Sequence, residues 1–256
     1  VEHCERHYDR VAILDTPVNP GSGTTFTLAD VEQWRQTFDS QRGFGALYYP
    51  WIKVIDPLTI GGNPVRPIPA CGHIAGLYAR SDFTVGVHKA PANAELLWSE
   101  DVTVVVDDAS QGVLNPEGID CLRVFPGRGI RVYGARTISS DPDWRYVNVR
   151  RLMLMIEKAV DESTQWAVFE PNNQNLRRSL VLSVSGFLEN LWRQGALVGA
   201  SAEDAFYIKC DETNNPPAVV DRGEIVIDIG VAPTRPAEFI IFRVGRTIEE
   251  LEIVER

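Results

Sequence analysis

The pattern that most constrains the fold is an apolar stripe in "NLRRSLVLSVSGFLENLWRQGAL". Leu176, Leu180, Val184, Leu188, Leu191 and Trp192 recur at helical spacing and are separated by polar residues. At 3.6 residues per turn the stripe runs for about six turns on one face, and Gly195 supplies a stop. A one-sided helix of this length has to cover its apolar face with another element, so a layered fold follows. Just upstream, "NVRRLMLMIEKAVDES" has a broad apolar face and a possible N-cap at Asn148, predicting a second helix. "TQWAVFE" between them reads as a strand, with Pro171 and two asparagines as punctuation. Downstream, "AFYIKCD", "EIVIDIGVAP" and "AEFIIFRVG" read as strands, the last two joined by the Pro233 to Pro236 turn.

The first half has a different rhythm. "DRVAILDTP" is a short apolar run closed by a turn-former, hence a buried strand. "VNPGSGTTF" is loop, and "TLADVEQWRQTF" opens on Thr27 as N-cap with Asp30 three residues on, predicting an amphipathic helix. "GALYYPWIKVID" reads as one strand with a bulge or edge position at Pro50. Strand, helix and strand in this order suggest a βαβ unit. "GHIAGLYARSD" predicts a short helix, and "TVVVDDASQGVLNPEGIDCLRVFPG" a strand, a polar turn region and another strand. The expected class is α+β or mixed α/β: a βαβ-type N-terminal portion, then a C-terminal domain of two helices packed on a mixed sheet.

Composition bounds the function. The 256 residues are 44% hydrophobic and 23% charged, values of globular chains rather than of disordered or membrane-spanning ones. A net charge of -10 argues against broad nucleic-acid binding, which needs a basic surface. Cys4, Cys71, Cys121 and Cys210 form no CxxC pair and read as reduced thiols. Cys71 with His73 offers only half a zinc site. The chain opens on Val1 with no signal-peptide pattern, which reads as a fragment lacking its natural N-terminal part.

Chemistry-bearing motifs are sparse. GxGxxG, GxxxxGK[ST], HExxH and GxSxG are all missing, and the acidic turn pieces lack the spacing of a cation loop. "FPGRGIRVYGARTISSDPDWRYVNVRRL", Phe125 to Leu152, is the one unusual stretch. Gly127 and Gly129 with neighbouring arginines could form an anion-binding loop. The reading preferred is tight turns around a strand, with Arg128, Arg131, Arg136, Arg145, Arg150 and Arg151 pairing with carboxylates of the same or a neighbouring subunit. At the C-terminus, "EFIIFRVGRTIEELEIVER" joins an apolar strand to a charged extension suited to strand exchange between chains.

Seven ordered blocks then resemble the contractile tail sheath proteins of bacteriophages and of phage-tail-like injection particles, in their C-terminal part. They are "DRVAILDTP", "CGHIAGLYARSD", "GVHKAPAN", "GVLNPEGIDCLRVFPGRGIRVYGARTISSDPDWRYVNVRRL", "STQWAVFEPNN", "LWRQGALVGASAEDAFYIKCDETNN" and "IGVAPTRPAEFIIFRVG", from about Asp9 to Gly245. The chain departs at His88, where the family often carries an aromatic, at Thr84 and Val85, and in lacking the N-terminal arm. The resemblance implies a structural protein with no catalytic residue, metal or cofactor. Its subunits would stack around an inner tube, link by exchanged strands and contract to drive the tube through a cell envelope. Implied partners are copies of itself, the inner tube, baseplate and tail-terminator proteins, with neither nucleic acid nor membrane insertion. The implied location is a virion tail or tail-like particle assembled in the bacterial cytoplasm. Residues 1–118 would be the sheath core portion, 119–246 the C-terminal domain and 247–256 an arm. On this reading Phe239, Ile240, Ile241, Phe242, Arg243, Val244, Ile248, Leu251 and Ile253 are candidates for the inter-subunit mesh, and Arg177, Arg178 and Arg193 for a tube-facing helix. The alternatives are a baseplate or tail-terminator component sharing this domain, and an enzyme with an anion site at 125–152.

Overall fold

The structure is a computed structural model that describes residues 1–17, 26–59, 61–62, 64–238, 242–245 and 251–254, the last two segments by their backbone. In chain order the first half contains α1 (Glu2–His7), β1 (Ala12–Asp15), α2 (Leu28–Arg35), β2 (Gly45–Tyr49), β3 (Ile52–Ile55), β4 (Val65–Ile68), α3 (Cys71–Thr84), β5 (Ala94–Glu95), β6 (Asp101–Val102), α4 (Asp108–Leu114), β7 (Ile119–Phe125) and β8 (Gly129–Tyr133). The second half contains α5 (Val147–Thr164), α6 (Gln174–Arg193), α7 (Ala202–Ala205), β9 (Phe206–Lys209), α8 (Pro217–Val220), β10 (Asp228–Val231), β11 (Phe242–Gly245) and β12 (Leu251–Val254).

A five-stranded mixed sheet, ordered β1-β2-β7-β8-β5, organises the first half. β1, β2 and β7 run parallel, with Leu14 beside Leu47 and Tyr48 beside Asp120, while β8 returns antiparallel to β7 and β5 antiparallel to β8. The expected βαβ unit is therefore present as β1, α2 and β2. Thr27 caps α2 through a reciprocal pair of hydrogen bonds with Asp30. Every residue of β2 is buried, as a central strand covered on both faces requires. Ala46, Tyr48, Leu122, Ile130 and Val132 pack on one face with α3, and Leu47, Tyr49, Ile119 and Cys121 on the other with α2 and α4.

The stretch read as one strand, Gly45 to Asp56, is two strands in two sheets. A cis Tyr49-Pro50 bond separates β2 from β3, which leaves to form an antiparallel sheet ordered β4-β3-β6. A proline cannot donate to a ladder, so it marks the exchange point. The strand expected from "TVVV" at 103–106 does not form; the two-residue strand β6, Asp101–Val102, lies just before it. Asp107 instead accepts a hydrogen bond from Ser110 N and caps α4, where a polar turn was expected.

In the second half the predicted stripe is a helix. Leu176, Leu180, Val184, Leu188 and Leu191 are all buried, and Gly195 follows the end of α6 in a left-handed conformation. α6 packs on α5 and on the antiparallel β9–β10 pair, its core holding Leu152, Ile156, Val184 and Leu188 against Phe206, Ile208, Ile229 and Val231. Two expectations fail here. "TQWAVFE" is no strand: α5 runs through Thr164 into a 3-10 turn at Gln165–Ala167, and Phe169 stands fully exposed at 102%. Among the described residues no ladder lies beside it, so propensity alone could not make a strand. Asn148 is not a cap either, since the helix is preceded by Tyr146 and Asn148 is buried.

Residue 118 falls inside the first layer. β7 hydrogen-bonds to β2, so the sheet spans both sides of that position.

Candidate assembly surface

The arginines of Phe125 to Leu152 sort by what their guanidiniums meet. Arg136 lies beside the sheet and makes a bidentate pair with Glu238, donating from Nε at 3.0 Å and from Nη2 at 2.5 Å. Both side chains are close to nine-tenths covered, at 12% and 14% exposed. Arg151 of α5 pairs with Asp82 of α3 through both carboxylate oxygens and lies 4.5 Å over the Tyr78 ring. Arg150 is buried between the Trp144 ring at 4.1 Å and the Phe44 ring at 4.7 Å, and also reaches Glu157. Burial pushes the Arg150 pKa down from its ordinary value. These three arginines tie the two halves within one chain. Arg128 and Arg131 lie on the β7–β8 hairpin and have no ion pair among the described residues. Arg145 is exposed and likewise has no ion pair among the described residues.

The anion-loop alternative is contradicted by what the glycines join. Gly127 and Gly129, at φ +72° and +74°, turn one antiparallel strand into the next, whereas a phosphate loop feeds a helix N-terminus.

Glu238 was not anticipated, and side chains from three separate segments converge on it. It receives Arg136 from the segment after β8, Asn115 Nδ2 at 3.3 Å from the end of α4 and Tyr146 Oη at 3.4 Å from the start of α5. Burial pushes its pKa up, but the Arg136 bonds and charge outweigh that, so the net shift is downward. Neighbouring residues are pinned as well: Asn148 Nδ2 donates to His88 O at 2.8 Å and Thr234 O at 3.0 Å, and Arg235 reaches Asp143. The chain leading to residue 239 is thus bound to the first-half layer before it continues. Glu238 and Arg136 are 102 residues apart, so no local spacing signals the pair.

A second unanticipated group lies beneath. Asp120 is fully buried, its Oδ1 accepting from Arg136 N at 2.8 Å while Oδ2 has no partner within hydrogen-bond geometry among the described residues. Directly opposite on β2 is Tyr48, whose hydroxyl shares a 2.6 Å hydrogen bond with that of Tyr78. Burial pushes the Asp120 pKa well above the ordinary carboxylate range, partly opposed by the Arg136 N–H and reinforced by the Glu238 charge. The same burial raises both tyrosines.

The remaining candidates are spread out. Arg177 and Arg178 border a groove of about 410 Å³ with Cys210, Asp211 and Thr213 at the start of α6. Arg193 lies at its far end, paired with Glu189. Of the mesh candidates, Phe239, Ile240, Ile241 and Ile248 lie outside the described residues; the backbones of Phe242, Arg243 and Val244 pair antiparallel with Val254, Ile253 and Glu252, and Gly245 with Leu251. Among the described residues no helix is long and apolar enough to cross a membrane, and no group of three or more His, Cys, Asp or Glu could hold a metal.

With this geometry the comparisons agree. Residues 2–138 match the phage tail sheath protein central domain and residues 139–247 the phage tail sheath C-terminal domain, so the models meet between β8 and α5. The tail sheath protein of Vibrio phage KVP40 is 27% identical over 251 residues, covering 93% of this chain and 36% of its own length. The sheath complex of an extracellular contractile injection system, PVC, in its contracted state superposes with a TM-score of 0.81 at 34% identity, covering 93% of this chain and 64% of that one. A chain of the anti-feeding prophage baseplate in the contracted state gives 0.80 at 31%, covering 96% and 67%. The chain thus spans about a third of that curated relative and about two thirds of those solved chains. It belongs to the phage tail sheath protein family, a family of structural proteins rather than enzymes, and carries the central and C-terminal domains.

Proposed function

We propose that this chain is the core of a contractile sheath subunit that polymerises around an inner tube, joins a baseplate and a tail terminator, and contracts to drive the tube through a cell envelope. The observation that carries this reading is the β9–β10 pair. Two strands alone are marginal in water, and these are held by the α5–α6 core while most of their outer edges have no ladder partner among the described residues. Such a pair accepts further strands from other chains. Residues 239–254 are proposed as the donated segment, with Glu238 as its fixed root, and α6 as the tube-facing helix through Arg177, Arg178 and Arg193. Heterologous contacts of this kind do not close, so they build an open helical array. The work of contraction would come from a kinetically trapped extended assembly, with no nucleotide required. Assembly would take place in the bacterial cytoplasm, and the product would be a virion tail or tail-like particle.

The test is electron microscopy of the full-length protein that carries this chain, expressed with and without its inner-tube partner. Rings or tubes are expected; a monomer under every condition would overturn the reading.

A further inference from the structure

The β7–β8 hairpin carries a rigid guanidinium surface that the packing of this chain does not use. Arg123, Phe125, Arg131 and Tyr133 share one face of the hairpin by register, with Arg128 at the turn. The Phe125 and Tyr133 rings are 5.1 Å apart. The Arg123 guanidinium lies 5.3 Å from the first and 5.6 Å from the second, and Arg128 lies 5.5 Å from Phe125. Arg123 is committed to α4, to Gln111 at 2.9 Å and Asp108 at 2.8 Å. Arg128 and Arg131 are different: each is fixed in place without being neutralised. Arg128 donates to Asn93 Oδ1 at 2.9 Å, and Arg131 to Asn93 O at 2.7 Å and Arg128 O at 3.1 Å. Glu95 stands opposite Arg131, packs its carboxylate against Gly129 and makes no ion pair with either arginine.

In a chain with 35 acidic and 25 basic residues, two cations held in place by hydrogen bonds without an ion pair keep their charge available to carboxylates from another copy. Arg128, held over the Phe125 ring, and Arg131, held by two backbone carbonyls, have already lost much of their conformational freedom, so a carboxylate partner gains charge-assisted bonds at little ordering cost. Arginine and tyrosine are also the residue types that dominate binding energy at interfaces. We infer that this hairpin is a subunit-to-subunit contact that receives exposed carboxylates of a second copy of this chain. The partner is a copy because the acidic excess that complements the hairpin belongs to the chain itself. The inference rests on the sheath reading and adds to it a contact outside the strand-exchange segment.

The test compares assembly of the full-length wild type with Arg128→Glu/Arg131→Glu, Arg128→Gln/Arg131→Gln and, as a charge control elsewhere, Lys158→Glu. Circular dichroism and the thermal midpoint check that each subunit folds. The double reversal is expected to raise the concentration needed for ring or tube formation about tenfold or more, the glutamine pair less, and Lys158→Glu little. Wild-type assembly should weaken with salt, and the glutamine pair should show a shallower salt dependence. Tubes from all variants at wild-type concentration overturn the inference and leave the sheath reading standing. So does unchanged sheath assembly with selective loss of inner-tube or oligonucleotide binding. A wild type that never assembles overturns both.

Discussion

At the scale of single residues, one buried carboxyl, Asp120, and one half-buried carboxyl, Glu238, respond to pH in opposite directions. Asp120 has a folded pKa raised well above its usual value of 3.8. Its contribution is complete below the unfolded pKa and declines as pH rises toward the folded value, with a slope of up to about 1.4 kcal/mol per pH unit. Asp120→Asn keeps the acceptor for Arg136 N and supplies a donor where the acid would carry its proton. Denaturant titrations of both proteins from pH 4 to 8 should therefore show wild type losing stability relative to the variant as pH rises; parallel curves would rule this out. Glu238 has its pKa lowered, so its contribution is present above the unfolded pKa and is lost as pH falls through the folded value. Glu238→Gln removes the ionic partner of a mostly covered arginine and should cost about 2–3 kcal/mol near neutral pH. That cost should shrink in acid. Protease sensitivity of the chain beyond residue 238 should rise in the variant, because the bonds to Arg136, Asn115 and Tyr146 all meet at this carboxylate.

At the scale of elements, the two long helices were the most legible part of the chain and β9–β10 among the most dependent on its surroundings. The α6 stripe follows from a 3.6-residue period over many turns, and its five aliphatic members are buried as that period requires. Leu188→Ala opens a cavity between α6, α5 and the strand pair, and should cost about 2–5 kcal/mol by equilibrium unfolding. A cost under about 1 kcal/mol would mean that α6 does not support this core. Strands were harder to read because a short apolar run becomes a strand only where a neighbour offers a ladder. "TQWAVFE" has the composition and no strand neighbour among the described residues, so its aromatics are left exposed. "GALYYPWIKVID" has two neighbours, so it divides at Pro50 between two sheets. Gly230 shows the same dependence: a Cβ there would come within 2.0 Å of the Tyr207 ring lying across it from β9. Only the pairing of those strands makes the glycine necessary.

For the whole molecule, the prediction concerns the inner tube. Arg178 and Arg193 are 15 residues apart on α6, which at about 100° per residue places them within roughly 60° of each other on the helix surface. Arg178 and Arg193 are exposed, and Arg177 is partly covered beside Cys210. Arg178→Glu/Arg193→Glu should abolish co-assembly with the tube in a pull-down while the thermal midpoint moves little; undiminished co-assembly would remove α6 from the tube-facing role. The sequence by itself determined the layered α+β class, the βαβ opening, the two long helices and, through seven ordered blocks, the sheath family. Those properties rest on periodicity, capping and local order, which are written over neighbouring residues. Only the tertiary structure decided which arginines are joints and which are surface. Arg136 finds Glu238 across 102 residues and Arg151 finds Asp82 across 69, whereas Arg128 and Arg131 find no ion pair among the described residues. A guanidinium's role depends on what three-dimensional packing brings within reach, and the residues flanking it in the chain do not specify that.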